Sequence, residues 1–354
     1  MSAKALEFEG AKMVVSAAAA MMISSSTSTR IHQCTMQSKI CLSTSLHGMV
    51  RVFDVKPNKS SPLYKGVHVN GDSQGGVKIN GSSTHNNNNV GMNDDFVEEE
   101  NRKHLSPDWM GRYVEDSMVF RQSFAIRSNE VGPDKTASIE TLINHLQETV
   151  LNSVWLSGPV GDGFTCTHEM SRRNLIWVAV YNQVQVESYP SWGDIVEIDA
   201  WVNPFGKNRI QWSWIVRDIK TNVVLAQAIS LWTVMNTKTR KLSKIPNEVR
   251  EELQPYFNDK KIIEEEVTQK SNKFEDSTPP YVRSDLTPHW SDLDANQHVN
   301  NIKYISWIFE SMPISILQNN EIANITLEYK RECMLSHTLQ SLSSPQGCNK
   351  MDSI

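Results

Sequence analysis

From about residue 117 onward the apolar positions fall into regular periods. Residues 119–127 read as a strand. Ile139, Leu142, Ile143, Leu146, Val150 and Val154 then recur at helical spacing and Gly158-Pro159 stops the run, which predicts one long helix with a single apolar face. Residues 175–186 form a nearly continuous apolar strand, and Tyr189 to Asp194 (YPSWGD) form a turn. After it Val196, Ile198, Ala200 and Val202 alternate with Glu197, Asp199 and Trp201. A strand over 210–217, with Trp212, Trp214 and Val216 on one side, joins a strand over 223–235 through a turn at 218–222. A strand, a long helix and at least four antiparallel strands make an α+β unit in which a helix lies on a sheet.

The same order recurs further along the chain, as an internal repeat would. After an acidic connector at 264–276 come a strand-like stretch at 281–286 and a turn-rich stretch at 290–297. A helix follows, with Ile302, Ile305, Ile308, Phe309 and Met312 stopped by Pro313, and then a strand over 323–329. Glu148 and Glu310 sit late in the two helices. Aligning Val184-Gln-Val-Glu with Ile325-Thr-Leu-Glu sets the turn around Pro190 opposite Arg331, Glu332 and Cys333. Two copies of one helix-wrapped sheet are expected, the second shorter than the first.

The first hundred residues change this picture, because their composition is that of an address and a linker. Between Gly10 and Phe53 there is no acidic residue, and the only charges are Lys12, Arg30, Lys39 and Arg51. With the hydroxyl run at 24–29, this is the pattern of an organellar transit peptide. Met13 opens a more typical transit start than the preceding residues, so residues 1–12 are expected to lie outside the translated protein. Asn, Gly and Ser dominate 70–93, and 94–100 is acidic, as in a disordered linker. The 354 residues carry 35 Lys+Arg against 40 Asp+Glu, a net charge of -5, which argues against a whole-molecule grip on nucleic acid or anionic lipid. The apolar runs stop far short of the roughly 18 residues a membrane span requires. Five cysteines, scattered and odd in number, suit neither a disulfide framework nor a CxxC metal site, so a reducing compartment is expected.

Candidate chemistry concentrates at the second repeat's loop-to-helix junction. Asp294, Asn296 and His298 stand at every second position, and an extended segment would project all three the same way, beside a helix N-terminus that favours developing negative charge. A plain N-cap with a surface histidine is the competing reading. Glu332 and Cys333 end the strand that should run beside this helix. Cys333 with His298 and Asn296 allows a thiol nucleophile, Glu332 with His298 allows activation of water, and Cys333 as a small buried apolar residue is the structural alternative.

WSDLDANQHVNN at 290–301 and LEYKREC at 327–333 carry a resemblance to a known family. So do VFRQSFAIRSNEVGPDKTASIETLINHLQET at 119–149, RRNLIWV at 172–178, YPSWGD at 189–194, IVRD at 215–218 and KLSKIPNEVREELQPYF at 241–257. Together they resemble the plant plastid acyl-acyl carrier protein thioesterases, nearer the B class that prefers saturated chains. The resemblance implies a tandem hotdog fold, each half a long helix wrapped by an antiparallel sheet. It implies release of free fatty acids from acyl carrier protein thioesters carrying medium or long saturated chains. A plastid location and a dimer are also implied, with no cofactor or metal. It divides the chain into a transit peptide (1–60), a linker (61–116), an acyl-binding hotdog (117–258), a connector (259–279) and a catalytic hotdog (280–354). Residue by residue, the family's site falls on Asp294, Asn296, His298, Glu332 and Cys333. Water activation by Glu332 with His298 is the favoured scheme, Asn296 positions the thioester or its oxyanion, and Asp294 orients its neighbours.

The chain departs from the family pattern in three places. Residues 346–354 do not match the family's further strands, so the second hotdog is expected to be short at its C-terminal end. Met334 to His337 replace the usual acidic turn, and 210–213 lack an arginine pair. A non-catalytic acyl-binding relative and an acyl-CoA thioesterase of the broader hotdog superfamily are the rival readings. For the partner, residues 201–250 hold Lys207, Arg209, Arg217, Lys220, Lys238, Arg240, Lys241, Lys244 and Arg250 against Asp218 and Glu248. Such a basic segment could steer docking of an acidic carrier protein.

Overall fold

The structure is a computed structural model. It describes strand backbone at 14–23, 32–42 and 53–57, and residues 110–114, 118–157, 165–260 and 281–346 in more detail. The linker over 61–109, the helix stop at Gly158-Pro159, the connector over 261–279 and the tail beyond 346 lie outside the described residues.

The strands in chain order are β1 (Val14–Ile23), β2 (His32–Leu42), β3 (Phe53–Pro57), β4 (Arg112–Tyr113), β5 (Phe120–Ala125), β6 (Leu175–Val186) and β7 (Ile195–Phe205). They continue with β8 (Arg209–Asp218), β9 (Val224–Asn236), β10 (Lys241–Ser243), β11 (Tyr281–Leu286), β12 (Asn320–Tyr329) and β13 (Leu339–Gln346). The helices are α1 (Ile139–Ser157), α2 (His168–Arg172), α3 (Asn247–Leu253), α4 (Lys303–Phe309) and α5 (Ile314–Asn319). One sheet runs β11-β13-β2-β1-β3-β12-β6-β9-β8-β7-β5-β4, with β10 on β9.

The first half matches its expected strands to within a few residues. Its helix α1 is fixed at both ends. Ser138 caps the start by accepting from the Thr141 N–H at 3.0 Å. At the other end the Tyr256 hydroxyl donates to the Ser157 carbonyl, covering an acceptor that a helix end leaves unpaired, and the Tyr113 hydroxyl donates to the Ser153 carbonyl one turn earlier. The Trp214 indole N–H donates to the Leu146 carbonyl at 3.0 Å, locking the helix to the sheet.

The alternation read along β7 is only half of its burial pattern. Trp201 and Asp199 were placed on the polar face, yet both are buried. Trp201 packs with Val119 and Ile215, and its indole N–H donates to the Lys260 carbonyl. Asp199 is held between two arginines: Arg121 Nε donates at 2.7 Å and Nη2 at 2.9 Å, and Arg217 Nη1 donates at 2.7 Å. Burial alone would raise the Asp199 carboxyl, but the hydrogen bonds and charges of Arg121 and Arg217 overcome it and hold the group below the usual carboxylate range. A depressed carboxyl stabilises the fold fully above its unfolded value of about 3.9, and the contribution is lost as pH falls through the folded value. Asp199→Ala is expected to cost about 3 kcal/mol at neutral pH, the low end for breaking a buried pair because both arginines keep contact with water. Urea unfolding at pH 7 and pH 3 checks this, with the gap between wild type and variant narrowing in acid.

The second half shares a core with the first. Leu142, Val184 and Ile198 belong to the same buried cluster as Ile305, Ile308, Ile325 and Leu327. β12 pairs antiparallel with β6, Ile325 opposite Val184, so the two halves meet across one ladder. The helix expected from 302 to 312 is shorter, α4 ending at Phe309, and a further short helix, α5, with Pro313 at its N-cap, follows before β12. Three further strands come from the N-terminal segment, inserted between β13 and β12. β1 and β2 form a hairpin from Val14↔Cys41 to Ile23↔His32; β2 pairs with β13, and β1 and β3 pair with β12.

Candidate active site

The loop before α4 is shaped by Asp294. Its Oδ1 accepts the Asn296 N–H at 2.8 Å and the His298 N–H at 2.9 Å, while its own N–H donates to the His298 carbonyl at 2.7 Å. Gln297 takes a left-handed conformation with φ of 62°. The segment is therefore a tight loop, not the extended strand that alternation suggested, and the three side chains do not project together. Asp294 faces its own backbone, Asn296 is exposed, and His298 is buried. The loop is closed by a bridge between Leu293 and Val299, matching that between Val131 and Ala137 in the first half, where Lys135 has φ of 67°.

The equivalence extends to the neighbouring strand ends. The Val299 N–H donates to the Cys333 carbonyl as the Ala137 N–H donates to the Pro190 carbonyl, both at 2.8 Å. Cys333 thus stands where the first half has Pro190, and Glu332 where it has Tyr189. The direct comparison of Glu332 with Ser191 and Trp192, which a sequence alignment of the two repeats suggests, is out of register.

Tertiary structure brings Glu332 to His298, with Oε2 at 3.2 Å from Nε2. A third group joins them. Arg240, from the turn between β9 and β10, donates from Nε to Glu332 Oε1 at 2.9 Å, its Nη2 lies 2.6 Å from Oε2, and the same Nη2 meets His298 Nε2. Burial pushes the His298 imidazole below its usual range; Arg240 adds to this, and Glu332 and Asp294 oppose it. Sequence reading counted Arg240 among the docking charges and missed it here. It lies 92 positions from Glu332 and 58 from His298, and no spacing rule connects them. Arg217, occupied with Asp199, is likewise no free docking charge.

Cys333 is fully buried in the shared core. Burial raises its thiol to about 12, against smaller lowering effects from Tyr304 and the Met334 backbone. A thiol at that value carries almost no thiolate at neutral pH, and the thiolate is the nucleophile.

An apolar groove of about 1100 Å³, its open mouth included, runs between α1 and the sheet. Ile143, Leu146 and Val150 line it from the helix, and Trp177, Trp212 and Trp232 from the strands. Asn182, Ser230 and Asn301 also line it, and they are linked: the Ser230 hydroxyl donates to Asn182 Oδ1, Asn182 Nδ2 donates to the Tyr329 hydroxyl at 3.3 Å, and that hydroxyl donates to the Asn301 carbonyl at 3.1 Å. Asn301 lies three residues after His298, and Tyr329, the last residue of β12, three before Glu332. Asn301 lines the groove, whereas His298 and Glu332 do not.

A helix lying on an antiparallel sheet, long in the first half and short in the second, with the two halves joined edge to edge through β6 and β12, defines a double hotdog. Residues 117–253 match the acyl-ACP thioesterase N-terminal domain and residues 275–353 the acyl-ACP thioesterase C-terminal domain. The chain belongs to the acyl-ACP thioesterase family. It is 53% identical over 245 residues to the palmitoyl-acyl carrier protein thioesterase, chloroplastic, of Arabidopsis thaliana, covering 69% of this chain and 60% of that one. It is 50% identical over 230 residues to the dodecanoyl-[acyl-carrier-protein] hydrolase, chloroplastic, of Cinnamomum camphora, covering 65% and 60%. The solved 12:0-ACP thioesterase from Umbellularia californica superimposes with a TM-score of 0.63 at 47% identity, over 67% of this chain and 85% of that one. The chain spans about 60% of the length of the curated relatives it matches.

Proposed function

We propose that this chain hydrolyses thioesters between acyl carrier protein and medium or long saturated acyl chains, releasing free fatty acids in the plastid. The observation that carries the reading is the pair of proton acceptors, His298 Nε2 and Glu332 Oε2, 3.2 Å apart, in a fold that holds an apolar groove whose lining includes Asn301, three residues after His298. The alkyl chain lies in the groove beneath α1 and the thioester carbonyl reaches the loop at 294–298. Glu332 with His298 takes a proton from water as its oxygen attacks the carbonyl carbon. Asn296, exposed at the loop tip, donates to the oxyanion, and Asp294 holds the loop that presents both. The tetrahedral intermediate collapses by breaking the C–S bond. A thiol of pKa about 8.5 is a good leaving group, so no strong acid is needed.

The carrier approaches the end of the sheet that bears Arg240. The register of Ile210 opposite Trp232 puts the β7–β8 turn at the same end as the β9–β10 turn, so exposed Lys207, Arg209, Lys238 and Lys241 gather there. An acidic carrier protein is complementary to that edge. Relatives named for palmitoyl and dodecanoyl substrates are similarly distant from this chain, so identity alone does not select a chain length.

The test is turnover by the purified chain on acyl carrier protein thioesters of graded chain length, beside the matching acyl-CoA series. Hydrolysis of the carrier series with kcat/KM at least tenfold above CoA is expected. Equal or greater activity on CoA would move the chain to the acyl-CoA class, and binding of acyl carrier protein thioesters without turnover would make it a non-catalytic relative. Light scattering on the same sample tests for the homodimer.

A further inference from the structure

Arg240 does more than add to a basic surface. We propose that Arg240 is a positioning residue of the hydrolytic site, holding the Glu332 carboxylate beside His298 and setting a fixed positive charge against protonation of that imidazole. The inference rests on the hydrolytic reading of those two residues.

Arg240 Nε donates to Glu332 Oε1 at 2.9 Å and Nη2 lies 2.6 Å from Oε2, an ion pair that fixes the carboxylate 3.2 Å from His298 Nε2. The same Nη2 meets His298 Nε2, so a fixed positive charge stands against the ring nitrogen that faces Glu332. A cation at that place disfavours a second positive charge on the imidazole. Removing the guanidinium frees the carboxylate and leaves Glu332 and Asp294, which both favour protonation of His298.

The turn is built to aim this side chain. The Asn236 side chain accepts from the Lys238 and Thr239 N–H groups, and the Arg240 N–H donates to the Asn236 carbonyl at 2.8 Å. Arg240 itself has φ of 55°, a left-handed conformation uncommon outside glycine. Such conformations persist where the surroundings over-determine them, as the two contacts to the second half do here. The charged groups acting on His298 are Arg240 from this turn, Glu332 from the segment after β12 and Asp294 from its own loop. Of these only Arg240 opposes protonation.

The experiment compares the full-length wild type with Arg240→Met and Arg240→Lys, using one acyl chain on acyl carrier protein and the same chain on N-acetylcysteamine, which has no carrier to dock. For Arg240→Met, kcat at pH 7 is expected to fall about 10- to 100-fold with both substrates, as for a misplaced catalytic group. The acidic limb of kcat/KM should move to higher pH, so that the deficit shrinks in alkali. Arg240→Lys, which keeps a donor and a charge, should recover most of the rate. In histidine-labelled protein, NMR should show a higher His298 ionisation midpoint in Arg240→Met than in the wild type. An unchanged midpoint, or a loss confined to KM for the carrier substrate, overturns the proposal in favour of simple docking. A lower melting temperature with an unshifted pH profile overturns it in favour of a structural role. Wild-type rates in His298→Ala and Glu332→Gln, assayed alongside, refute the hydrolytic reading itself and the proposal with it.

Discussion

His298→Ala lowers turnover on an acyl carrier protein thioester by about 100-fold or more, in a chain that still melts cooperatively. General-base groups typically contribute 10²- to 10⁴-fold. His298 is buried, faces Glu332 at 3.2 Å and is pushed by burial and by Arg240 toward its neutral form, the form a base needs. The acidic limb of kcat/KM should therefore fall below the ordinary histidine value of about 6.5. Asn296→Ala should lose a comparable factor for a different reason. Its side chain is exposed, so truncation leaves stability unchanged while removing the proposed oxyanion donor. Rates within a few-fold of wild type in both folded variants would take the 294–298 loop out of the mechanism.

Glu332→Gln is expected to be nearly inactive, down about 100-fold or more, whereas Cys333→Ala keeps a substantial fraction of wild-type turnover. The two residues are adjacent in sequence but opposite in environment. Glu332 reaches the site, where Arg240 and His298 surround its carboxylate. Cys333 turns into the core, its thiol raised to about 12 and donating to the Met334 carbonyl at 3.7 Å. An amide at 332 would keep the shape of the side chain but lose the ion pair with Arg240 and the capacity to take a proton. Alanine at 333 removes one buried group, at a cost on the order of 1 kcal/mol. Single-turnover assays with a radiolabelled acyl chain check both points. Trapping of a covalent acyl-enzyme in the wild type, together with an inactive Cys333→Ala, would establish the thiol as nucleophile and reverse the expectation.

The elements that sequence periodicity predicted well are those whose two faces differ in environment. α1 shows its apolar stripe from Ile139 to Val154 because one side packs on the sheet, and β6 runs from Leu175 to Val186 as read. β7 was misread on one face because Trp201 and Asp199, which look like solvent positions, are covered by Ile215, Arg121 and Arg217. Pro313 marked the stop of the second repeat's helix, but the further helix α5 that follows it was not read from the sequence. At the site, His298 and Glu332 were both legible as candidates. Alternation misled on their geometry, because the Asp294 side chain folds the loop back on itself and Gln297 takes a left-handed turn.

The sequence by itself determined the α+β class, the repeat of a helix-wrapped sheet and the identity of the titratable residues near the second repeat's loop. These follow from local periodicity and turn chemistry, which act over a few residues. Only the tertiary structure decided which of those residues meet. Pairing of β12 with β6 and the aim of one strained turn bring Arg240 to groups 58 and 92 positions away, and burial in the common core separates Cys333 from the chemistry of its neighbour Glu332. Contact across such separations, and the desolvation that sets a proton's affinity, are properties of the packed molecule that a linear pattern does not carry.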